Sequence, residues 1–154
     1  MPAEPAYFDS TYLFKLYWNE EGSGEVRALA GACSRLICAA HGRAEVMAAA
    51  HRKFREGSAD AGQLRALLDQ FTADCDAGGI VFQPLVDGVF EKVDAVFRVA
   101  PAGVFLRAAD ALHLACAAEN QAPKVYSNDR HMIAAAPLFG LEAVNVIRPA
   151  LPPL

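Results

Sequence analysis

Short apolar runs alternate along this chain with longer segments in which apolar residues recur at helical spacing. The apolar runs, at residues 6–8, 35–38, 80–82, 125–127 and 144–147, have the composition of β-strands. Helical patterns occupy residues 11–18, 25–32, 43–55, 59–76, 86–99, 104–119 and 130–136. Because parallel strands are joined by helical crossovers, this alternation predicts an α/β fold with a mainly parallel sheet that helices cover on both faces.

One such sheet fits the length of the chain. The chain has 154 residues, the size of one domain, and no internal repeat or low-complexity segment divides it. We expect a single domain over residues 1–148. The last six residues, PALPPL at 149–154, should form an irregular tail, because proline lacks the backbone N–H that helices and sheets use.

Acidic residues follow the predicted strands at the positions where ligands of parallel sheets bind. Asp9 comes directly after the first apolar run, and Asp129 lies two residues after the run that ends at Ser127. Glu45 is in the first turn of its predicted helix, and Asp110 is in the second turn of an otherwise apolar helix. Ligands bind in the crevice at the carboxyl ends of the strands, so these four side chains can meet there.

Four carboxylates that meet without a counterion repel each other, which raises their pKa values and destabilises the fold. A hard divalent cation removes this penalty, and Mg²⁺ or Mn²⁺ suits a site built from oxygen ligands. Such a cation can lower the pKa of a bound water, hold a phosphate and stabilise charge on a leaving oxygen. The acidic residues therefore predict a metal site for phosphate chemistry.

Each acidic residue also has a purely structural interpretation. Asp110 can pair with Arg107 at i,i+3 on a solvated helix stripe. Asp9 and Asp129 each precede a predicted helix and can cap its N-terminus, where aspartate is favoured. Glu45 can be stabilised by the helix dipole. Composition and spacing leave the choice between these interpretations and a metal site open.

Basic and imidazole side chains give weaker indications. Two groups could contact phosphates, namely Arg52, Lys53 and Arg55 at the end of one helix, and Arg130 with His131 after Asp129. A solvated face is the simpler interpretation of both groups, and the net charge of −4 argues against nucleic-acid binding by charge alone. His113 is expected on the same solvated stripe or behind the ligands, because a magnesium site does not call for imidazole.

The sequence gives no indication of export or membrane insertion. The start MPAEPAYFDS lacks a basic stretch followed by an apolar run, and no segment approaches about 18 consecutive apolar residues. The cysteines show no CxxC pair and no histidines at zinc spacing. We therefore expect them to be small buried apolar side chains in a reducing cytoplasm; they are Cys33, Cys38, Cys75 and Cys116.

Four motifs occur in order between about Tyr7 and Val146: YFDSTYLFKLY, RAEV, LRAADALHLACA and VYSNDRHM. Together they resemble the PIN-domain ribonucleases, particularly the VapC-type toxins of bacterial toxin–antitoxin pairs. The specific part of the likeness is DALHLA followed by S/T-x-D-R, whereas an aspartate after an N-terminal strand is common. Two departures, Asn128 at a usually apolar position and a long helical hairpin around Gly57, affect the expected target more than the chemistry.

The resemblance implies a three-layer α/β/α sandwich whose acidic pocket binds Mg²⁺ or Mn²⁺ and hydrolyses single-stranded or looped RNA to a 5′-phosphate and a 3′-hydroxyl. The acidic quartet of the family falls on four positions of this chain, all of them acidic: Asp9, Glu45, Asp110 and Asp129. Ser127 is expected to hydrogen-bond within the site, and Ser10 or Thr11 to orient Asp9. Family members are commonly homodimers that a partner antitoxin inhibits by covering the pocket.

Two other functions compete with that of a metal-dependent ribonuclease. The first is a noncatalytic PIN-like module that only binds RNA or a protein. The second is a receiver-like phosphoacceptor domain, which needs an acidic pair near the first strand and a lysine after the last. Here Asp9 is followed by Ser10, and Lys124 precedes its strand, which argues against the receiver-like function.

Overall fold

The computed structural model describes residues 3–151 and 153–154 and has a central sheet of five parallel strands. The strands are β1 (Pro5–Phe8), β2 (Arg35–Ala39), β3 (Ile80–Gln83), β4 (Lys124–Tyr126) and β5 (Glu142–Val144). Their order is β3-β2-β1-β4-β5, and every neighbouring pair is parallel. The predicted α/β class is confirmed.

Seven α-helices connect or flank these strands in the described part of the chain. They are α1 (Ser10–Lys15), α2 (Ser23–Ala32), α3 (Gly42–Arg55), α4 (Ala61–Asp76), α5 (Asp87–Val99), α6 (Ala108–Glu119) and α7 (Arg130–Ala135). A 3₁₀-helix, Ala136–Phe139, follows α7, because Pro137 lies in its first turn and does not continue the α-helix. Helices α3 and α4 pack against each other, as the predicted hairpin requires.

Two predicted elements have different bounds. The helix expected over 104–119 begins only at Ala108, because Arg107 has an extended backbone (φ −80°, ψ 155°) and serves as the N-cap residue. The last strand lies at Glu142–Val144, N-terminal to the predicted 144–147. It pairs with the three-residue β4, which offers partners only to those residues. The residues after Val144 have no helix or strand, including the described part of the predicted tail, and Pro152 lies outside the described residues.

Strand β1 divides its side chains between two apolar cores. Ala6 and Phe8 pack into one core with side chains of α1, α2, α3 and α4. Tyr7 packs into the other with side chains of α5, α6 and α7. Successive side chains of a strand point to opposite faces, so the sheet separates two helical layers. This is the three-layer arrangement that the resemblance implied.

The chain reverses direction across the sheet between β1 and β4. From β1 it moves outward to β2 and β3, then crosses back to β4 on the other side of β1. Ligands of open parallel sheets bind at such a switch point, beyond the carboxyl ends of the strands. The two segments are joined there by a hydrogen bond of 3.1 Å from the Asp9 N–H to the Tyr126 carbonyl.

The described helices include none with the length and apolar character needed to cross a membrane. All four cysteines are free thiols. Cys38 and Cys116 are buried as expected, whereas Cys33 and Cys75 are only half-buried.

The fully buried Tyr12 ties the segment after β5 to α1, and Tyr12→Phe tests this connection. Its hydroxyl donates to Asn145 Oδ1 at 2.8 Å and accepts from the Val146 N–H at 2.8 Å. Phenylalanine leaves the Val146 N–H without its partner, so we expect the free energy of unfolding to fall by about 1–3 kcal/mol in urea denaturation. Tyr126→Phe is the matched control, because that hydroxyl makes no hydrogen bond to the described residues. Equal losses in both variants would contradict the assignment.

Candidate active site

Asp9, at the carboxyl end of β1, is held by hydrogen bonds to both of its oxygens. Oδ1 accepts the Tyr12 N–H at 2.9 Å, so Asp9 itself caps α1. Oδ2 accepts the Ser127 hydroxyl at 2.5 Å and lies 3.4 Å from the Thr11 hydroxyl. The Asp9 carboxylate therefore has a fixed orientation at the switch point.

The Asp9 side chain is buried without a basic partner. It is 2% exposed, and no lysine or arginine among the described residues forms an ion pair with it. Burial raises the pKa of Asp9, although the hydrogen bonds from Ser127 and Tyr12 act in the opposite direction. The ionised form is costly in this position unless a cation lies nearby.

Arg107 joins the other two aspartates of the predicted site. Its Nε lies 2.8 Å from Asp110 Oδ2, and its Nη2 lies 2.7 Å from Asp129 Oδ2. Both carboxylates thus direct an oxygen at one guanidinium. The i,i+3 pair of Arg107 and Asp110 does form, but Asp110 is buried and not on a solvated stripe. Because α6 begins late, Asp110 lies in its first turn and not in the second as predicted.

Asp129 connects this pair to Asp9. Its Oδ1 accepts the N–H groups of His131 and Met132, at 2.8 and 3.3 Å, and caps α7. Its own N–H donates to Ser127 Oγ at 3.0 Å, while that hydroxyl donates to Asp9. Asp9 and Asp129 are therefore both helix caps, as the structural interpretation held, and each keeps its second oxygen for a further contact.

Glu45, in the first turn of α3, faces two histidines. Its Oε1 lies 2.5 Å from His113 Nε2 and 3.6 Å from His41 Nε2. His113 is buried, so of its two expected places the solvated stripe is wrong, and it lies behind Glu45. Burial acts to raise the pKa of Glu45, but hydrogen bonds from His113 and Ser10 and the charge of the histidines hold it below its usual value. Burial and the neighbouring His113 lower the pKa of His41.

The predicted acidic residues therefore occupy two adjoining groups. Asp9, Asp110 and Asp129 are linked through Ser127 and Arg107. Glu45 belongs to the histidine group, and Ser10, at the start of α1, contributes to lowering its pKa. Among the described residues, the group of potential metal ligands that approaches within 4.8 Å comprises His41, Glu45 and His113, and contains none of the three aspartates.

The predicted phosphate-binding residues lie in two different places. Arg52, Lys53 and Arg55 are at the opposite end of α3 from Glu45, about 10–15 Å along the helix axis. Arg52 pairs with Glu56 at 2.9 Å, and Lys53 lies 3.7 Å from Glu20. Arg130 is exposed beside Asp129, and the ring of His131 packs edge-on against the exposed Phe105. Only this second group adjoins the aspartates.

Arg107 and His41 were not predicted as site residues, and His113 was expected only on the stripe or behind the ligands. Signals for them exist in the sequence. Residues three or four apart lie on the same face of a helix. Arg107 and His113 are each three residues from Asp110, on either side of it, and His41 precedes Glu45 by four residues. What the sequence did not show is that these faces turn toward each other.

Gly42, the first residue of α3, lies against the site, and Gly42→Ala should disturb it. A Cβ at this position would overlap Cys38 Sγ and lie 3.2 Å from His113 Cε1. We expect the free energy of unfolding to fall by about 1–3 kcal/mol in chemical denaturation, since buried side chains must move. Gly31→Ala in α2 is the control, because its Cβ would meet no atom within 4 Å. A Gly42→Ala protein as stable as wild type would show that Cys38 and His113 can make room for the added methyl group.

Comparisons with known proteins agree on one fold. The family model of the PIN domain matches residues 6–137. A search of curated proteins finds no significant match. Solved structures similar to this chain include two complexes with DNA. The first, VapBC2 from Rickettsia felis bound to a DNA fragment from their promoter, has a TM-score of 0.64 and 12% identity, covering 92% of this chain and 98% of that chain. The second, FitAB bound to an IR36 DNA fragment, has a TM-score of 0.69 and 14% identity, covering 95% of this chain and 98% of that chain.

Proposed function

Because the chain belongs to the PIN domain family, whose members are generally nucleases, we propose that it is a metal-dependent endoribonuclease. The observation that carries the proposal is that three aspartates are linked to one another at the switch point of the sheet through Arg107 and Ser127. Asp110 and Asp129 each direct an oxygen at one cationic group, and the buried Asp9 is joined to Asp129 through Ser127. Active sites of open α/β sheets form at this position.

The donor groups fit Mg²⁺ or Mn²⁺. All three aspartates offer carboxylate oxygens, which these hard cations prefer. Arg107 already places positive charge between Asp110 and Asp129, so that position favours a cation. Asp9 is buried without a basic partner among the described residues, and a divalent ion would offset the cost of ionising it.

In the proposed mechanism, Asp9, Asp110 and Asp129 would hold the ion, and Glu45 would complete the site or position the attacking water. When bound, such an ion would lower the pKa of a water and stabilise charge on the phosphate. The Tyr12 N–H and the Ser127 hydroxyl fix the orientation of Asp9. The pKa of Glu45 is held below its usual value, so its carboxylate is ionised and can accept a hydrogen bond from the water. Arg107 must leave its position between two ligands when the ion binds.

We also propose that the protein acts in the cytoplasm as the toxin of a toxin–antitoxin pair. The solved structures similar to this chain include the toxin–antitoxin complexes VapBC2 and FitAB, and the resemblance to VapC-type toxins implies a partner antitoxin that covers the pocket. The anionic pocket would accept a basic side chain of such a partner in the way it accepts Arg107.

A homodimer is proposed from an apolar stripe on α5. Val86, Phe90 and Phe97 recur at helical spacing and are each about half-exposed. An isologous interface needs only one such patch, since the same surface serves both subunits. We expect wild type to elute as a dimer and Phe90→Ser/Phe97→Ser as a monomer in size-exclusion chromatography with light scattering. A monomeric wild type at micromolar concentration would refute the homodimer without affecting the nuclease proposal.

The nuclease proposal is tested by incubating the purified protein with a panel of single-stranded and hairpin RNAs. We expect cleavage in Mn²⁺ or Mg²⁺, none in EDTA, and products that carry 5′-phosphates. RNA binding without metal-dependent cleavage of any panel member would favour the noncatalytic module. Membership of the PIN family leaves no basis for the receiver-like function, and Lys124 lies at the start of β4 with its ammonium over the Tyr126 ring.

A further inference from the structure

We infer that His41, Glu45 and His113 form a second cation site, which takes a borderline divalent ion such as Zn²⁺, Co²⁺ or Ni²⁺. This site goes beyond the proposed nuclease activity and does not require it. It adjoins the aspartates and shares only Glu45 with the proposed quartet.

The three side chains are brought together by separate elements. His41 directly precedes α3, Glu45 lies one turn into that helix, and His113 comes from α6. One ligand atom from each residue lies within 4.8 Å of the other two. The imidazole rings are 4.1 Å apart between centroids. Three potential ligand atoms within 4.8 Å of one another can reach one ion.

The imidazole rings of His41 and His113 both turn their Nε2 atoms toward the same oxygen of Glu45. Nε2 of His113 and Nε2 of His41 both face Glu45 Oε1, at 2.5 and 3.6 Å, and Nε2 of His41 also lies 3.0 Å from the Ala109 carbonyl. The Nδ1 atoms of both rings are buried and have no partner among the described residues. His113 is 1% exposed, so half of its polar surface is unsatisfied in the interior. The atoms that face one another, and that one ion can share, are therefore the two Nε2 nitrogens and Glu45 Oε1.

The ligand types select the ion. Two imidazole nitrogens and one carboxylate oxygen form a ligand set of catalytic zinc sites, in which a water takes the open fourth position. Imidazole suits zinc, nickel and related ions, whereas Mg²⁺ prefers oxygen alone. The side chains of Glu45 and His41 are 33% and 17% exposed, so an ion can enter from solvent. For Nε2 of a neutral ring to coordinate the ion, that ring must carry its proton on Nδ1, so the proton moves from Nε2 to Nδ1 by exchange with solvent.

The test uses Co²⁺ as a spectroscopic probe of the metal-free full-length protein. We expect one equivalent of Co²⁺ to produce the visible d–d bands of a low-coordinate site with nitrogen ligands. His41→Ala should remove these bands, whereas His51→Ala, which changes an exposed histidine of α3, should retain them. Circular dichroism shows whether each variant folds. Since His113 is buried and His113→Ala can unfold the protein, His41→Ala is the deciding variant.

The outcomes separate this site from the proposed nuclease centre. Asp110→Asn should keep the Co²⁺ bands, because Asp110 is not a ligand of the second site. Bands that survive His41→Ala, or a wild type that shows only the weak spectrum of an octahedral ion, would overturn the inference. If the bands depend on His41 while no RNA is cleaved, the second site stands and the nuclease proposal fails.

Where cleavage is observed, Zn²⁺ provides a further readout. An ion held by His41, His113 and Glu45 withdraws Glu45 from the proposed quartet, so Zn²⁺ should inhibit Mg²⁺-dependent cleavage. Compared with wild type, His41→Ala should need at least about tenfold more Zn²⁺ for the same inhibition, a shift that corresponds to the loss of roughly 1.4 kcal/mol of binding. Equal inhibition of both proteins would count against the site.

Discussion

Asp110→Asn is expected to reduce metal-dependent RNA cleavage by roughly three orders of magnitude, on the scale seen when a main electrostatic contribution to catalysis is removed. Asp110 is buried in the first turn of α6 and directs Oδ2 at the cationic group that it shares with Asp129. Asparagine keeps the size of the side chain but removes the charge that is proposed to hold the metal. The measurement is the single-turnover cleavage rate of a labelled RNA across a range of Mn²⁺ concentrations.

The control for Asp110→Asn is Asp94→Asn. Asp94 is exposed on α5 and pairs with Arg98 at 2.8 Å, so this change removes an aspartate–arginine pair away from the site. It should leave the cleavage rate unchanged, and both variants should give the circular dichroism spectrum of wild type. Undiminished cleavage by Asp110→Asn at saturating Mg²⁺ would show that this carboxylate does not hold the catalytic ion.

The fold follows from patterns that are local in sequence. Alternating apolar runs and helical periods place every strand and helix within a few residues of its observed bounds. The largest differences occur in segments where tertiary contacts determine the backbone conformation. Residues 104–107 read as helix on composition, but Arg107 is extended, and this brings its guanidinium to Asp129, 22 residues away.

The site was only partly accessible from sequence, because its contacts join distant elements. Because Asp9 and Asp129 follow parallel strands, the sequence indicated that they lie at the same edge of the sheet. Ser127 links them there. Helical spacing gave the pairing of Arg107 with Asp110, but it did not show that the same guanidinium reaches Asp129.

The histidine group was missed for the same reason. The contact between His113 and Glu45 spans 68 residues, and it depends on how α3 and α6 pack beside the sheet. No periodicity within either helix contains that information. The buried position of His113 likewise follows from packing and not from the composition of its own helix.

Arg107→Gln is expected to tighten Mn²⁺ binding by about ten- to a hundredfold. The guanidinium occupies the position between Asp110 and Asp129 and must leave before an ion can use both oxygens. Two charges about 4 Å apart interact by about 4 kcal/mol at an effective dielectric constant of 20. Arg107 is half-exposed, and solvent screening reduces this to about 1–3 kcal/mol, which gives the stated range of affinity. Isothermal titration calorimetry or the EPR signal of free Mn²⁺ measures the dissociation constant without reference to activity.

The same substitution should make the stability of the fold depend on metal. Without Arg107, the carboxylates of Asp110 and Asp129 face each other unpaired, so the melting temperature in EDTA should fall below that of wild type. Saturating Mn²⁺ should restore it, because an ion that binds only the folded state stabilises that state. Arg98→Gln, which removes an exposed partner of Asp94, should change neither the affinity nor the melting temperature. Weaker Mn²⁺ binding by Arg107→Gln would instead show that the guanidinium supports the bound ion and does not compete with it.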